Sequence, residues 1–344
     1  MAGMKDVLAT LQAWDAAGLA SAEAILVGTQ HSSPRQPGAR LVVNEKGELA
    51  GAVSMGCVES DLREHLRALL RGEGAPKMVH YGAAFAAALE VGLSCGGEID
   101  VWLRRHDPAA SAWRDVCALK PDARAVLLTR LAGNSEQILL NSGAAAPEPE
   151  MAAAAAEVEV RGGTRKCSVR GEPWFAEMLA PDPLLLIVGA SPIAAALCEL
   201  AARTGFRVAL VDPRRDFARA ELFPAAERVV HQWPAEGLAM AGMDAHSYVA
   251  VVAHDAKLDV PALAAALRAK CKYIGLLGSR STREVRHAAL REAGFAPEEV
   301  ARIRGPIGLK NMGGIEPAEI AVSILAELIM ARRGTLDSAG KERA

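Results

Sequence analysis

"LLLIVGASPIAAALCELAARTGFRVALVD", residues 184–212, decides the fold. Its opening five residues form a continuous apolar run, as in a strand covered on both faces of a parallel sheet. Ser191 then stands as a helix N-cap and Pro192 at the first turn, and the apolar spacing that follows is helical. "RVALV" is a second apolar strand that closes at Asp212. Strand, helix and strand in so short a span predict one βαβ unit.

Toward the C-terminus the pattern repeats. "RVVH" (228–231), "SYVAVVAH" (247–254) and "YIGLLGS" (273–279) read as strands, with helices expected over 260–270 and 281–293. Pro317 starts a last helix that runs to Gly334. Residues 181–334 are therefore expected to be a Rossmann-like doubly wound parallel sheet, followed by a polar tail at 335–344.

Toward the N-terminus the linker Pro181–Asp182–Pro183 closes an α+β domain expected over residues 1–180, which makes the chain α/β overall. Apolar residues at Val7, Leu8, Leu11 and Trp14 predict a helix, and "AEAILVGT" a strand. "RLVVNEKGELAGAV" (40–53) predicts two strands about a polar turn, and "VESDLREHLRALLRG" (58–72) an amphipathic helix. "APKMVHYG" and "IDVWL" are further strands. Residues 110–180 are weakly patterned: a hairpin from "ARAVLLTRLAG" and "EQILLNSG", and an alanine-rich helix over 146–163 expected to be peripheral.

Composition excludes several classes of function. A net charge of −2 without a basic run argues against nucleic acid or an anionic membrane surface as partner, and 4% aromatic residues argue against base stacking. The most apolar stretch, 184–202, is broken by "GASP", so no membrane span is expected. Charged Lys5 and Asp6 leave no signal core, and six cysteines without a CxxC pair suggest reduced thiols in the cytoplasm.

Candidate chemistry falls in both halves. In the second, Gly189, Ser191 and Ala194 stand where the dinucleotide fingerprint has G-x-G-x-x-A, with serine replacing the middle glycine. Asp212 lies 23 residues after Gly189, where a ribose-binding acid belongs. His254 in "AHDAKLD" and Gly278, Ser279 and Arg280 in "LLGSRSTR" sit after strands, at the edge where open α/β sheets bind ligands. Amides of the glycine-rich loop 305–317 are suited to an anion. In the first half, "GAVSMGCVE" (51–59) and "GLSCGG" (92–97) set Cys57 and Cys95 on turns among glycines. Cys57 precedes a helix, where the dipole lowers a thiol pKa. Cys117, Cys167, Cys198 and Cys271 are expected to pack as small buried apolar residues.

"SSPRQPGARLVV", "GCVE" and "GLSCGG", followed by "AHDAKLD", "YIGLLGSRSTR" and "PIGLKNMGGIEPAEIAVSILAE", resemble the XdhC/CoxI family over nearly the whole chain. These are accessory proteins of xanthine dehydrogenase and related molybdenum hydroxylases. The resemblance implies a homodimeric chaperone without turnover of its own. It binds the molybdenum cofactor, a molybdopterin, protects it during sulfuration, and delivers it to a xanthine dehydrogenase-type hydroxylase. A cysteine desulfurase-type protein is an implied sulfur donor. Cys57 and Cys95 match the family's two cysteine motifs, and a thiolate at Cys57 suits molybdenum. Gly56, Glu59, Gly96 and Gly97 flank the thiols and are expected with them to bind the cofactor, and the glycines let a bulky group reach the backbone. Arg35 and Arg40 are expected to face the cofactor's phosphate. The chain departs from the family pattern where glycines become Ser54 and Met55, where "GAGH" becomes "GASP", and where an acid becomes Lys310.

Two other readings stand beside it. An NAD(P)-dependent oxidoreductase would use the βαβ unit and Asp212. A thiol redox regulator would pair Cys57 with Cys95 reversibly.

Overall fold

The computed structural model describes residues 3–31, 33–54, 56, 58–82, 97–309 and 312–336, with only the backbone at 161. It divides into two compact units, Met1–Pro181 and Asp182–Ala344.

The first unit contains two antiparallel sheets. β1 (Ser21–Gln30), β2 (Arg40–Asn44), β3 (Leu49–Gly51), β4 (Lys77–Tyr81) and β5 (Glu98–Arg105) form one, in the order β3-β2-β1-β5-β4. β6 (Ala125–Arg130), β7 (Gln137–Asn141), β8 (Thr164–Val169) and β9 (Glu172–Leu179) form the other, in the order β7-β6-β9-β8. Helices α1 (Met4–Ala16) and α2 (Glu59–Leu70) belong with the first sheet, and α3 (Ser111–Cys117) and α4 (Pro149–Arg161) with the second.

Strand alternation sorts the first sheet's side chains onto two faces. Ala22, Ala24, Leu26, Ile99, Val101 and Leu103 pack against Leu62, Leu66 and Leu69 of α2. The opposite face carries Ile25, Val27 and Trp102, which meet Phe175 of the second sheet. Glu23 and Arg40 are also fully buried; Arg40 donates to Glu23 Oε2 (3.0 Å) and reaches across to Glu177 Oε1 (2.8 Å).

Residues 110–180 are more ordered than their pattern suggests. The predicted hairpin is β6–β7, paired Ala125↔Asn141. The alanine-rich helix is α4, and it is no peripheral element: Met151, Ala154, Ala155 and Val158 pack on Val126, Leu128, Trp174, Ala176 and Met178. The sequence reading missed α3, β8 and β9.

The second unit is a parallel sheet of β10 (Leu184–Val188), β11 (Arg207–Val211), β12 (Arg228–Val230), β13 (Tyr248–Val251), β14 (Tyr273–Leu276) and β15 (Ile303–Arg304). The order β12-β11-β10-β13-β14-β15 reverses direction between β10 and β13, as in a Rossmann sheet. α5 (Pro192–Arg203) and α10 (Pro317–Arg333) cover one face. α6 (Pro234–Met240), α7 (Ala256–Arg268), α8 (Arg280–Glu292) and α9 (Pro297–Val300) belong to the other side. α7 starts earlier than expected because Asp255 caps it, accepting from Lys257 N (2.9 Å), and it carries Pro261 within. Buried Glu327 of α10 anchors the loop after β15: it accepts from Tyr273 Oη (2.8 Å), Arg304, and Gly308 N (2.6 Å). Among the described residues no helix is long and apolar enough to cross a membrane.

Candidate functional site

One edge of the first unit's five-stranded sheet carries the ends of β4 and β5 that lie on either side of Cys95 in the sequence. Gln30 at the end of β1 pairs with Glu98 at the start of β5, and Tyr81 at the end of β4 pairs with Ile99. The loop from 31 to 39 thus leaves the same edge to which the segment holding Cys95 is joined. Tyr81 Oη donates to Asp61 Oδ2 (2.7 Å), which ties that edge to the first turn of α2. Burial, then Asp61, pushes the Tyr81 hydroxyl pKa far up, so it remains a donor. Cys57, Cys95, Gly96, Met55, Lys310 and the tail from 337 lie outside the described residues.

Glu59 organises the turn before α2. Val58, the residue preceding the helix, offers no side-chain cap. Instead Glu59 folds back. Its Oε1 accepts from Val53 N (3.2 Å) and Ser54 N (2.7 Å). Its Oε2 accepts from Ser54 Oγ (2.6 Å), Gly56 N (3.0 Å) and Val58 N (3.3 Å). Burial works to raise the Glu59 pKa, but these bonds, led by Ser54, hold the carboxyl below its usual range. Gly56 has φ +106° with open space where a Cβ would stand, so its backbone conformation, and not crowding, calls for glycine.

The two arginines part company. Arg35 lies on the loop, about a quarter exposed, and pairs with Asp6 (2.6 Å). Arg40 has no exposed surface, and its guanidinium is engaged by Glu23 and Glu177. It is placed in the core between two sheets, where a ligand's phosphate does not reach. The sequence reading placed it by its nearness to the proline-rich loop, and the burial of its carboxylate partners was not visible.

Beneath the same edge lies a polar cluster that the sequence reading missed. His80 Nδ1 and Asp100 Oδ1 are 2.9 Å apart, and Lys166 Nζ donates to Asp100 Oδ2 (2.6 Å). Burial opposes ionisation of Asp100, yet the bonds from Lys166 and His80 hold its carboxyl down. Gly28 makes room: a Cβ there would stand 2.7 Å from Lys166 Nζ. The cross-strand pairing of His80 with Asp100 is a sheet-register fact that motif spacing does not contain. Gly97, just before β5, is buried.

In the second unit the predicted residues share the carboxyl edge of the parallel sheet. Gly189 has φ +104°, and a Cβ there would meet Ala253 Cα at 2.5 Å, so close approach of two strand ends requires the glycine. Ser191 caps α5, accepting from Ala194 N (3.2 Å). Asp212 is fully buried, accepting from Ala190 N (2.7 Å) and from Arg214 Nε (2.9 Å) and Nη2 (2.6 Å). Burial acts to raise its pKa, but Arg214 and the amides hold it low. Its carboxylate is thus already engaged at the position where a ribose would need it. His254 is exposed with φ 59°. Gly278 has φ +144°, Ser279 caps α8 by accepting from Thr282 N (3.1 Å), and Arg280 is exposed beside it.

The remaining thiols divide. Cys198 and Cys271 are buried, and burial pushes them to about 12 and about 11. Cys117 is exposed and Cys167 half-buried, contrary to expectation, because Cys117 ends α3 on its solvent side and Cys167 lies on the outer strand β8. Among the described residues no three metal-ligating side chains converge.

Both halves match known sequences. Residues 14–82 match the XdhC and CoxI family, and residues 185–328 match the XdhC Rossmann domain. The chain belongs to the XdhC and CoxI family. It is 28% identical, over 89% of its length and 82% of the relative's, to the molybdenum cofactor insertion chaperone PaoD of Escherichia coli. It is 26% identical to a probable xanthine dehydrogenase subunit of Bacillus subtilis, over 90% of this chain and 92% of that one. A solved Bacillus halodurans structure, described as a xanthine dehydrogenase, shares the fold with TM-score 0.68 and 24% identity, covering 95% of this chain and 96% of that one.

Proposed function

We propose that this protein is an insertion chaperone: it binds the molybdenum cofactor as cargo, shields it during sulfuration and delivers it to a xanthine dehydrogenase-type molybdenum hydroxylase. The observation that carries the reading is the shared sheet edge. Tyr81 at the end of β4, which leads by sequence toward Cys95, donates to Asp61 in the first turn of α2, the helix that follows Cys57, and this supports the reading in a chain similar over both units to a molybdenum cofactor insertion chaperone. Cys57 supplies a thiolate to the metal, Cys95 stands by from the neighbouring segment, and Arg35 takes the phosphate role that buried Arg40 cannot. The setting is the cytoplasm, the assembly a homodimer, and the sulfur donor a cysteine desulfurase-type protein. The engaged carboxylate of Asp212 gives no support to an NAD(P)-dependent reaction.

Cofactor capture tests the reading. Purified protein is incubated anaerobically with molybdenum cofactor and desalted, and retained pterin and molybdenum are quantified. Wild type is expected to retain both and Cys57→Ala to lose most of both. Equal retention by the two would remove Cys57 from the site, and no retention by wild type would end the chaperone reading.

A further inference from the structure

The described residues of the turn before α2 are held by a residue outside the turn. Glu59 receives five donors from Val53, Ser54, Gly56 and Val58, backbone and hydroxyl together. Ser54 adds a second layer. Fully buried, it donates its hydroxyl to Glu59 Oε2 and accepts from Val58 N (3.4 Å). A glycine at 54 could do neither. Among the described residues the turn has no sheet partner, and the helix that follows has no capping side chain at Val58, so these bonds hold Val53, Ser54, Gly56 and Val58 to the start of α2.

We propose that Glu59 and Ser54 are a positioning pair. They prefold the turn that presents Cys57, so the cargo meets a receiving loop already in its bound shape, and the ordering cost is removed from the binding step. This inference rests on the chaperone reading, but its first measurement does not. Glu59 touches no cargo in this account. It acts through the backbone on both sides of position 57.

Residue-resolved amide exchange on the full chain is the test, with Glu59→Gln and Ser54→Gly. A glutamine offers one acceptor oxygen where the carboxylate offers two, so one arm must open. Exchange is expected to rise about tenfold or more either at 53 and 54 or at 56 and 58. The amides of 62–70 in α2 should remain as protected as in wild type. Ser54→Gly is expected to raise exchange at 58 by a smaller factor. Unchanged exchange throughout 53–58 in Glu59→Gln overturns the proposal. Equal loss along all of α2 also overturns it, because Glu59 would then only cap a helix. Should Glu59→Gln fail to fold, Ser54→Gly carries the same comparison. The second readout is the release rate of captured cofactor at unchanged melting temperature. Release about tenfold faster in Glu59→Gln supports positioning, and release at the wild-type rate from a loosened turn overturns it. Absence of capture by wild type would instead count against the chaperone reading, leaving the exchange result to decide whether the turn is prefolded.

Discussion

The parallel sheet of the second unit is apolar on both faces, with Leu185, Ile187, Leu210 and Ala250 on one and Leu186, Val188, Val249 and Ile274 on the other. Its buried acids, Asp212, Asp259 and Glu327, lie past a strand end or on helices. The first unit instead buries Glu23, Arg40, Arg104 and Glu177 on the strands themselves, between two sheets. Arg104 binds Glu23 and Gln137, Gln137 binds Thr129, and Arg40 spans Glu23 and Glu177. An apolar core loses stability in proportion to what is removed, whereas a buried ionic one depends on every partner being present.

The largest effect is therefore expected at Arg40. Arg40→Ala removes the cation shared by two buried carboxylates, leaving Glu23 with Arg104 and taking from Glu177 its Arg40 partner, and should cost about 3–5 kcal/mol. Trp14, Trp102, Trp113 and Trp174 are all buried in the first unit, while Trp233 in the second is already exposed, so the change in tryptophan emission during urea unfolding reads mainly the first unit. A loss below about 1 kcal/mol would mean that the charged layer is not what holds the sheets together.

The contrast sharpens in acid. Burial works to raise the Glu23 pKa, but Arg104, Arg40 and His106 bring it from 4.5 to about 2. A carboxyl whose folded pKa is depressed contributes stability above its unfolded pKa and loses it as pH falls through the folded one. The first unit should thus weaken between about pH 4.5 and 2, by about 3 kcal/mol in all, and Glu23→Gln should flatten that profile. Asp259 in the second unit has the opposite sign: burial raises its pKa beyond what Arg286 offsets, so protonation removes a cost and acid favours its folded state. Tryptophan emission against pH, with amide exchange in β13 alongside, separates the two.

The same contrast explains what could be read from the sequence. β10, β11, β13 and β14 were legible because a doubly covered parallel strand is a continuous apolar run. β15 was not, being only Ile303–Arg304 among polar neighbours. β9 was missed because "EPWFAEML" places Glu177 on its buried face, where charge disguises the alternation. Arg40 was misassigned for the same reason. At the candidate site, "GCVE" was visible as a strand-to-helix turn, and Glu59 was singled out with it. The bond from Tyr81 to Asp61 was not visible, because it depends on how β4 packs beside α2.

Gly189→Ala gives the second unit its severest small test. The new Cβ would meet backbone of Ala253 from a residue at φ +104°. Neither strand end can yield without moving the sheet, so a loss of about 2–3 kcal/mol is expected. Amide exchange in β10 and β13 should rise while tryptophan emission of the first unit stays as it was. No change would show that the two strand ends have room to separate.

The smallest effect distinguishes what Ser191 is for. Its hydroxyl accepts from Ala194 N, and Ala194 is fully buried, so that amide finds no water when the hydroxyl is gone. Ser191→Ala should cost about 1 kcal/mol or slightly more, read as a shift of the second unit's unfolding midpoint. Ser191→Gly restores the glycine of the dinucleotide fingerprint and keeps an acceptable N-cap, so it should cost only a few tenths of a kcal/mol. Pro192 still removes one N–H from the helix start, and Arg214 still covers Asp212, so the glycine alone should not create NAD(P) binding in a calorimetric titration. If Ser191→Gly does bind the dinucleotide, the serine is what bars it, and the edge beside Asp212 is a nucleotide site closed by one side chain.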